Sequence, residues 1–227
     1  MAFGSIILLG AGSAGSTGLD LVISSNTTDY NVLTAATAAG YDNSLGDNVT
    51  ITVTINSGVN VTATGGGGTA FTTGALNANT TLSIINNGNI TGSNGGTGSN
   101  GGNGGSGGKG VFFNTVTGGS ATHSLENNGV IAGGGGGGGS GGHKRTCYSD
   151  GDGGHECNDP VAIGAAGTVG ALGQSGTAGA NPPAQGLCDC SLSPARGLGG
   201  AGGYSIDKNG RTVTQTGSGT YVGTQKP

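Results

Sequence analysis

The sequence predicts a mainly β protein: a short β-rich lead-in with one helix, then layered β coils and packed polyglycine-II helices. Three observations carry that prediction. Glycine makes up 56 of 227 residues, and in GGTGSNGGNGGSGGKG it occupies 95, 98, 101, 104, 107 and 110 without a miss. GAAGTVGALGQSGTAGAN keeps the same phase at 164, 167, 170, 173, 176 and 179. Short apolar stretches around a turn also recur, as INSGVNV (55–61), INNGNIT (85–91), ENNGVIA (126–132) and DKNGRTV (207–213).

A period of three belongs to helices of the polyproline-II type. Glycine on every third residue gives such a helix a bare edge, where neighbouring backbones can approach and bond to each other. A flexible Gly/Ser linker has no need of phase. Collagen is a poorer fit, since the runs are short and proline is scarce, 5 residues in all. GGGGGGGSGG (133–142) and GLGGAGG (197–203) extend the same theme.

The elements follow in order. Residues 1–18 form an N-terminal attachment segment and 19–92 the β-rich lead-in. In the lead-in, LDLVIS is a strand and TTDYNVLTAATAAG a short helix, with Asp29 as its cap and Gly40 as its stop. Val49, Ile51, Val53 and Ile55 alternate with Thr, the pattern of a half-buried strand. The second and third turn repeats lie 41 residues apart, an offset that places Phe71 over Phe112 and predicts stacked coils or one layered sheet. Residues 93–214 form the glycine-rich domain and 215–227 a C-terminal tail.

Composition narrows the function. Only 8% of residues are charged and the net charge is −4, which argues against a nucleic-acid surface. No apolar stretch approaches the length of a membrane helix, and the start lacks the basic region of a secretory signal. Gly10-x-Gly12-x-x-Gly15 has the spacing of a dinucleotide fingerprint, but strand-like sequence follows where a helix is needed. GGSGG around Ser106 and Ser140 mimics a nucleophile elbow without the strand and helix that elbow requires. The expectation is no catalytic residue, no cofactor and no metal.

Two loops break the monotony. HKRTCYSDGDGGHECNDP (143–160) holds six of the chain's 18 Lys, Arg, Asp and Glu residues, and NPPAQGLCDCSLSPAR (181–196) follows. Lys144, Arg145, Tyr148, Asp150, Asp152, His155 and Glu156, with Asp189 and Arg196, are the expected binding residues, because a bare glycine scaffold offers a partner almost no side chains. Cys147, Cys157, Cys188 and Cys190 read as disulfides, as zinc ligands together with His143 and His155, or as free thiols. Cross-loop pairs or Cys147–Cys157 are favoured, because a C-x-C disulfide closes a strained ring. DGDGG hints at calcium but lacks the EF-hand spacing.

LVISSNTTDYNVLTAATAAGYD, VTITVTINSGV, TLSIINNGNITGSNGG and LENNGVIAGGGGGGG together resemble the glycine-rich domains that end tail-tip and tail-fibre proteins of tailed bacteriophages. The chain is also similar to the glycine-rich adhesins of T-even-like phages. That resemblance, over roughly 19–214, implies a polyglycine-II sandwich with variable loops at its end, and a location in the virion tail. It implies a bacterial outer-surface receptor, protein or polysaccharide, and other virion tail proteins as partners. Three-fold symmetry is common in such tips, and the Val49–Ile55 face needs a cover, so a homotrimer is expected. The rival reading is a purely structural virion component that binds no receptor.

Overall fold

A computed structural model describes residues 18–44, 48–99, 101–115, 122–149, 155–163, 165–181 and 196–227. The attachment segment expected at 1–18, including the Gly10–Gly15 motif, lies outside the described residues except for Gly18.

The chain winds into five stacked coils, and each coil gives one strand to each of three parallel sheets. The first sheet stacks Gly18–Ile23, Thr50–Ile55, Thr81–Asn86, Thr122–Asn127 and Val213–Thr216 in chain order. The second stacks Thr27–Thr28, Asn60–Thr62, Asn89–Thr91, Val130–Ala132 and Thr220–Val222. The third stacks Tyr30–Asn31, Phe71–Thr72, Val111–Phe112, Ile206–Asp207 and Gln225–Lys226. The stretch read as a C-terminal tail therefore lies in the last coil, and the lead-in supplies the first coils of the same stack.

Period-2 alternation sends one side of every strand into the coil interior. In the first sheet, Leu21, Val53, Ile84 and Leu125 form one inward row, and Ile51 and Leu82 stand in another beside His123. Val61, Ile90 and Ile131 do the same in the second sheet, and Phe71, Val111 and Ile206 in the third. Each such burial is worth about 1.5–3 kcal/mol against leaving the side chain in water. Ile51, Val53 and Ile55 are 0% exposed inside a single chain, so this face supplies no argument for a trimer.

The recurring turns are corners of the coil rather than hairpins. Asn86 and Asn127, both fully buried, sit one above the other where the first sheet passes to the second. Asn86 Nδ2 donates to Asn127 Oδ1 at 2.8 Å, and Asn127 Nδ2 donates to the Thr220 carbonyl at 3.3 Å. Each Oδ1 also accepts the N–H of the glycine two residues on, Gly88 or Gly129. A buried amide is tolerable only when bonded in this way.

The repeats differ from expectation in two places. DKNGRTV occupies another corner, between the third sheet and the first, and the matching corner of the last coil is Gly217–Gly219. The 41-residue offset holds for Thr81 over Thr122 and Asn89 over Val130, but Phe71 pairs with Val111 and Thr72 with Phe112. One extra residue between the third and first sheets shifts the register, and a shift of one exchanges the two faces of a strand. Phe112 accordingly lies outside, with Lys109 Nζ 3.9 Å from its ring centroid, while Val111 and Phe113 are buried.

The helix spans Val32–Ala38 and is capped by Asn31, whose Oδ1 accepts the Thr34 N–H at 3.1 Å. Asp29 is not the cap: it has a φ of +50° and its carboxylate accepts the Thr64 N–H at 2.9 Å, tying the first coil to the second. Gly40, at φ +97°, follows the helix where a left-handed residue is needed.

Candidate functional site: the distal end of a polyglycine bundle

All glycine runs leave from one corner of the coil, between the second and third sheets: 63–70 in the second coil, 92–110 in the third and 133–205 in the fourth. The 95–110 pattern is two runs, 92–98 out and 102–110 back, joined by a turn in which Gly102 N–H donates to the Ser99 carbonyl and Gly101 has a φ of +80°. The second triplet segment likewise folds at Ala171–Gln174, giving runs 165–173 and 174–181.

Run 133–142 is the centre. It bonds through its backbone to five other runs: 92–98 (Gly95 to Gly135), 102–110 (Gly134 to Gly108), 165–173 (Gly170 to Gly136), 174–181 (Gly136 to Gln174) and 196–205 (Gly200 to Gly137). A polyproline-II helix has no internal hydrogen bonds, so these lateral bonds satisfy its backbone. The phases explain the composition. A Cβ on Gly133, Gly136 or Gly139 would overlap the backbone of Gly203, Gly200 or Gly197. On Gly134 or Gly137 it would overlap Ser93 or Gly96, and on Gly135 or Gly138 it would overlap Gly170 or Gly167. From 133 to 139 the central run faces neighbours on every phase and must be glycine; Ser140, near its distal end, keeps a buried side chain, and the outer runs can carry side chains on their free phases.

The bundle is about 30 Å long, at about 3.1 Å per residue. Its far end gathers the chemically varied segments. From residue 142 the chain enters an antiparallel hairpin, His143–Ser149 against His155–Ile163, and returns to the bundle at 165. The Ser99–Gly102 turn lies at the same end, where Ser140 N–H donates to the Gly102 carbonyl at 3.1 Å. So do residues 181 and 196, which flank the second loop: Gly142 N–H donates to Ala180, and Gly197 N–H to Ser140.

The expected binding residues divide accordingly. Lys144, Arg145 and Tyr148 lie on the first hairpin strand, and His155 and Glu156 on the second. Register sets Tyr148 opposite Glu156 and Ser149 opposite His155, with irregularities on either side of Arg145. Arg196 is exposed at the base of the second loop. Asp150, Asp152 and Asp189, with Cys188 and Cys190, lie outside the described residues. Cys147 and Cys157 are directly opposed. Opposed residues of an antiparallel pair have Cα atoms about 4.5–5.5 Å apart, a separation a disulfide spans.

Two features of this end escape the sequence reading. The turn at Gly101 is hidden by its own period, and Asn103 Oδ1 accepts the Leu198 N–H at 2.8 Å, fixing the exit of the second loop. An Asn next to the triplet glycine is the available signal, and Asn94 repeats it. Of the two decoy serines, Ser140 lies in the central run with its Oγ 3.3 Å from the Gly102 carbonyl, and Ser106 is exposed on run 102–110. Among the described residues no cluster of three His, Cys, Asp or Glu is placed to hold a metal, and no helix is long and apolar enough to cross a membrane.

One group of charges is structural. Asp207, 1% exposed, meets Lys109 Nζ at 2.8 Å and Lys226 Nζ at 3.5 Å, clamping the return of run 102–110 to the last two coils. Burial alone would raise its pKa, but the Lys109 ammonium, the Asn209 N–H and Lys226 together hold it below the ordinary value.

Among solved structures, the chain is similar to one in the gp37–gp38 adhesin tip complex of the bacteriophage S16 long tail fibre. The identity is 18%, the match covers 92% of this chain and 82% of that chain, and the TM-score is 0.46. No curated protein matches the chain. The model of the family described as phage tail fibre adhesin Gp38 matches residues 19–226. The chain belongs to the Gp38 family of phage tail fibre adhesins.

Proposed function

We propose that the distal end of the bundle attaches the virion to a bacterial surface molecule, protein or polysaccharide, through the hairpin 143–163 and the segment ending at Arg196. One observation supports this: the glycine runs lead away from the coils and bring the hairpin strands His143–Ser149 and His155–Ile163, and the residues 181 and 196 that flank the second loop, to one end. Away from Arg196, the described runs of the bundle carry a single charged side chain, Lys109, and it is engaged with Asp207. Membership of a tail fibre adhesin family supports the same reading, and the opposite end would join other tail proteins. Lys144, Arg145, Tyr148, His155 and Glu156 are the proposed contacts on the hairpin, and Asp150, Asp152, Asp189 and Arg196 are the further proposed contacts. The role is one of binding, not of catalysis. We take Cys147 and Cys157 to be bridged, which would hold the hairpin in its binding form before contact and cut the ordering cost of association.

The test replaces residues 144–158 by a Gly/Ser segment of equal length. The coil amides should stay protected from exchange, because a loop of similar length changes closure entropy little. Adsorption to cells that bind the parent protein should be lost, and reduction of the parent should weaken it. Undiminished adsorption of the folded variant would favour a purely structural virion component.

A further inference from the structure

Five sides of the central run are taken by other runs. The sixth lies between 92–98 and 165–173, and among the described residues no backbone bonds to the central run there. On that side the Gly135 N–H donates to a side chain, Asn94 Oδ1, at 2.8 Å. Its neighbours Gly134 and Gly136 donate instead to the backbone carbonyls of Gly108 and Gln174. The carbonyls of Gly95, Gly98, Gly167 and Gly170 accept from no described backbone N–H.

Phase shows what lines this side. In run 92–98, Gly95 and Gly98 turn their bare edge to run 102–110 and give their N–H groups to Gly135 and Gly138. In run 165–173, Gly167 and Gly170 turn theirs to run 174–181 and give their N–H groups to Gly139 and Gly136. A three-fold helix turns 120° per residue. The residues before those glycines, Asn94 and Thr97, therefore share a phase, and the Asn94–Gly135 bond shows that it faces the sixth side. In the other run, Thr168 leans over run 174–181, its Oγ1 3.1 Å from Thr177 Oγ1. The remaining phase, Ala166, Val169 and Leu172, is left for the sixth side, with Val169 and Leu172 42% and 40% exposed.

We propose that Asn94, Thr97, Val169 and Leu172 close the bundle, denying the sixth position to a Gly-x-x strand from a second, not yet folded copy of this chain. The argument is steric and polar at once. Wherever the central run meets another run along 133–139, glycine stands on the meeting phase, because a Cβ there would overlap the neighbouring backbone. On the sixth side both flanking runs carry side chains instead, and Asn94 supplies the carbonyl oxygen that a sixth strand would otherwise bring. The matching donors, acceptors and glycine phase belong to this chain's own outer runs, so another copy is the natural occupant. Exchange of an identical element between copies is a known hazard of such repeats. This inference stands whether or not the distal end binds a receptor.

The test uses the full chain with Asn94→Gly, Thr97→Gly, Val169→Gly and Leu172→Gly combined. After refolding, the variant should form species of higher mass by light scattering, increasing with concentration, and should retain a synthetic (Gly-Asn-Ser)n peptide that the parent does not. A folded variant with the parent's mass and no peptide uptake would overturn the proposal, as would equal uptake by the parent. Should the combined variant fail to fold, Asn94→Gly alone decides. Hydrogen exchange at the Gly135 amide should speed up about tenfold, the scale of one lost hydrogen bond. Exchange at Gly134 and Gly136 should hold. An unchanged Gly135 amide would overturn it.

Discussion

The coils and the glycine bundle satisfy the same demand, a buried backbone with every polar group paired, by opposite means. The coils pair strands within sheets and fill the space between sheets with Leu, Ile, Val and Phe. The bundle has no side-chain core: its central run touches backbone on five sides and is buried along its whole length. The coil interior can therefore absorb a change of side-chain volume at a finite cost. Between 133 and 139 the bundle interior cannot accept a single added carbon.

The largest expected effect breaks the bundle alone. Gly137→Ala places a Cβ on the backbone of Gly96, with nothing flexible to move aside. Amide protection should vanish across 92–110 and 133–142 while the first-sheet strands of the coils stay protected, as hydrogen exchange would show. Ser106→Ala, on an exposed phase of the same bundle, should change nothing measurable. Comparable exchange in the two variants would break the comparison.

The coil counterpart is Ile84→Ala. Ile84 is fully buried between Val53 and Leu125, and the cavity should cost about 2–5 kcal/mol in denaturant unfolding. The coils should still fold. A smaller loss is expected from Asn127→Leu, which strands the Gly129 N–H at the corner and leaves the Asn86 Nδ2 only its longer bond to the Val130 carbonyl, at 3.4 Å. An unmet buried polar group costs about 1–3 kcal/mol, and Asn127→Asp should not rescue the fold, because it keeps the acceptor for the Gly129 N–H but sets a buried carboxylate oxygen against the Thr220 carbonyl.

Asp207 tests where the two regions join, and its effect depends on pH. Its carboxylate is held charged below the ordinary value of 3.8, so the clamp contributes fully above that pH and fades as the pH falls through the lower folded value. Asp207→Asn should cost about 1.5–3 kcal/mol at neutral pH, the range for a hydrogen bond to a charged group. The gap between parent and variant in thermal unfolding should close on acidification below 3.8. A gap constant with pH would assign the loss to packing rather than to the two ammonium groups.

Much of this was legible because period is a local property. Alternation at 49–55 predicts a strand, the 41-residue offset predicts stacking, and the triplet glycines predict lateral backbone contact. The sequence offset does not place Phe112 correctly, because one extra residue in a corner leaves the pattern of each strand intact while exchanging its faces. Asp29 reads as the helix cap in the sequence because Asp and Asn cap equally well, and only the path of the first coil selects Asn31. At the distal end, composition marked the hairpin, but Asn103 is 95 residues from the group it holds.

Residue type and period set the kind of contact each segment can make: where a side chain is admitted, where only glycine fits, and with what repeat. They do not set which segment meets which. Gly101 continues the triplet phase yet turns the chain, since a phase of three survives a turn that inserts a multiple of three residues. The choice of 133–142 as the central run, the closing of its sixth side by Asn94 and the gathering of the varied segments at one end rest on contacts between residues far apart in the chain. Those contacts are decided by the one arrangement in which every run finds partners for its backbone.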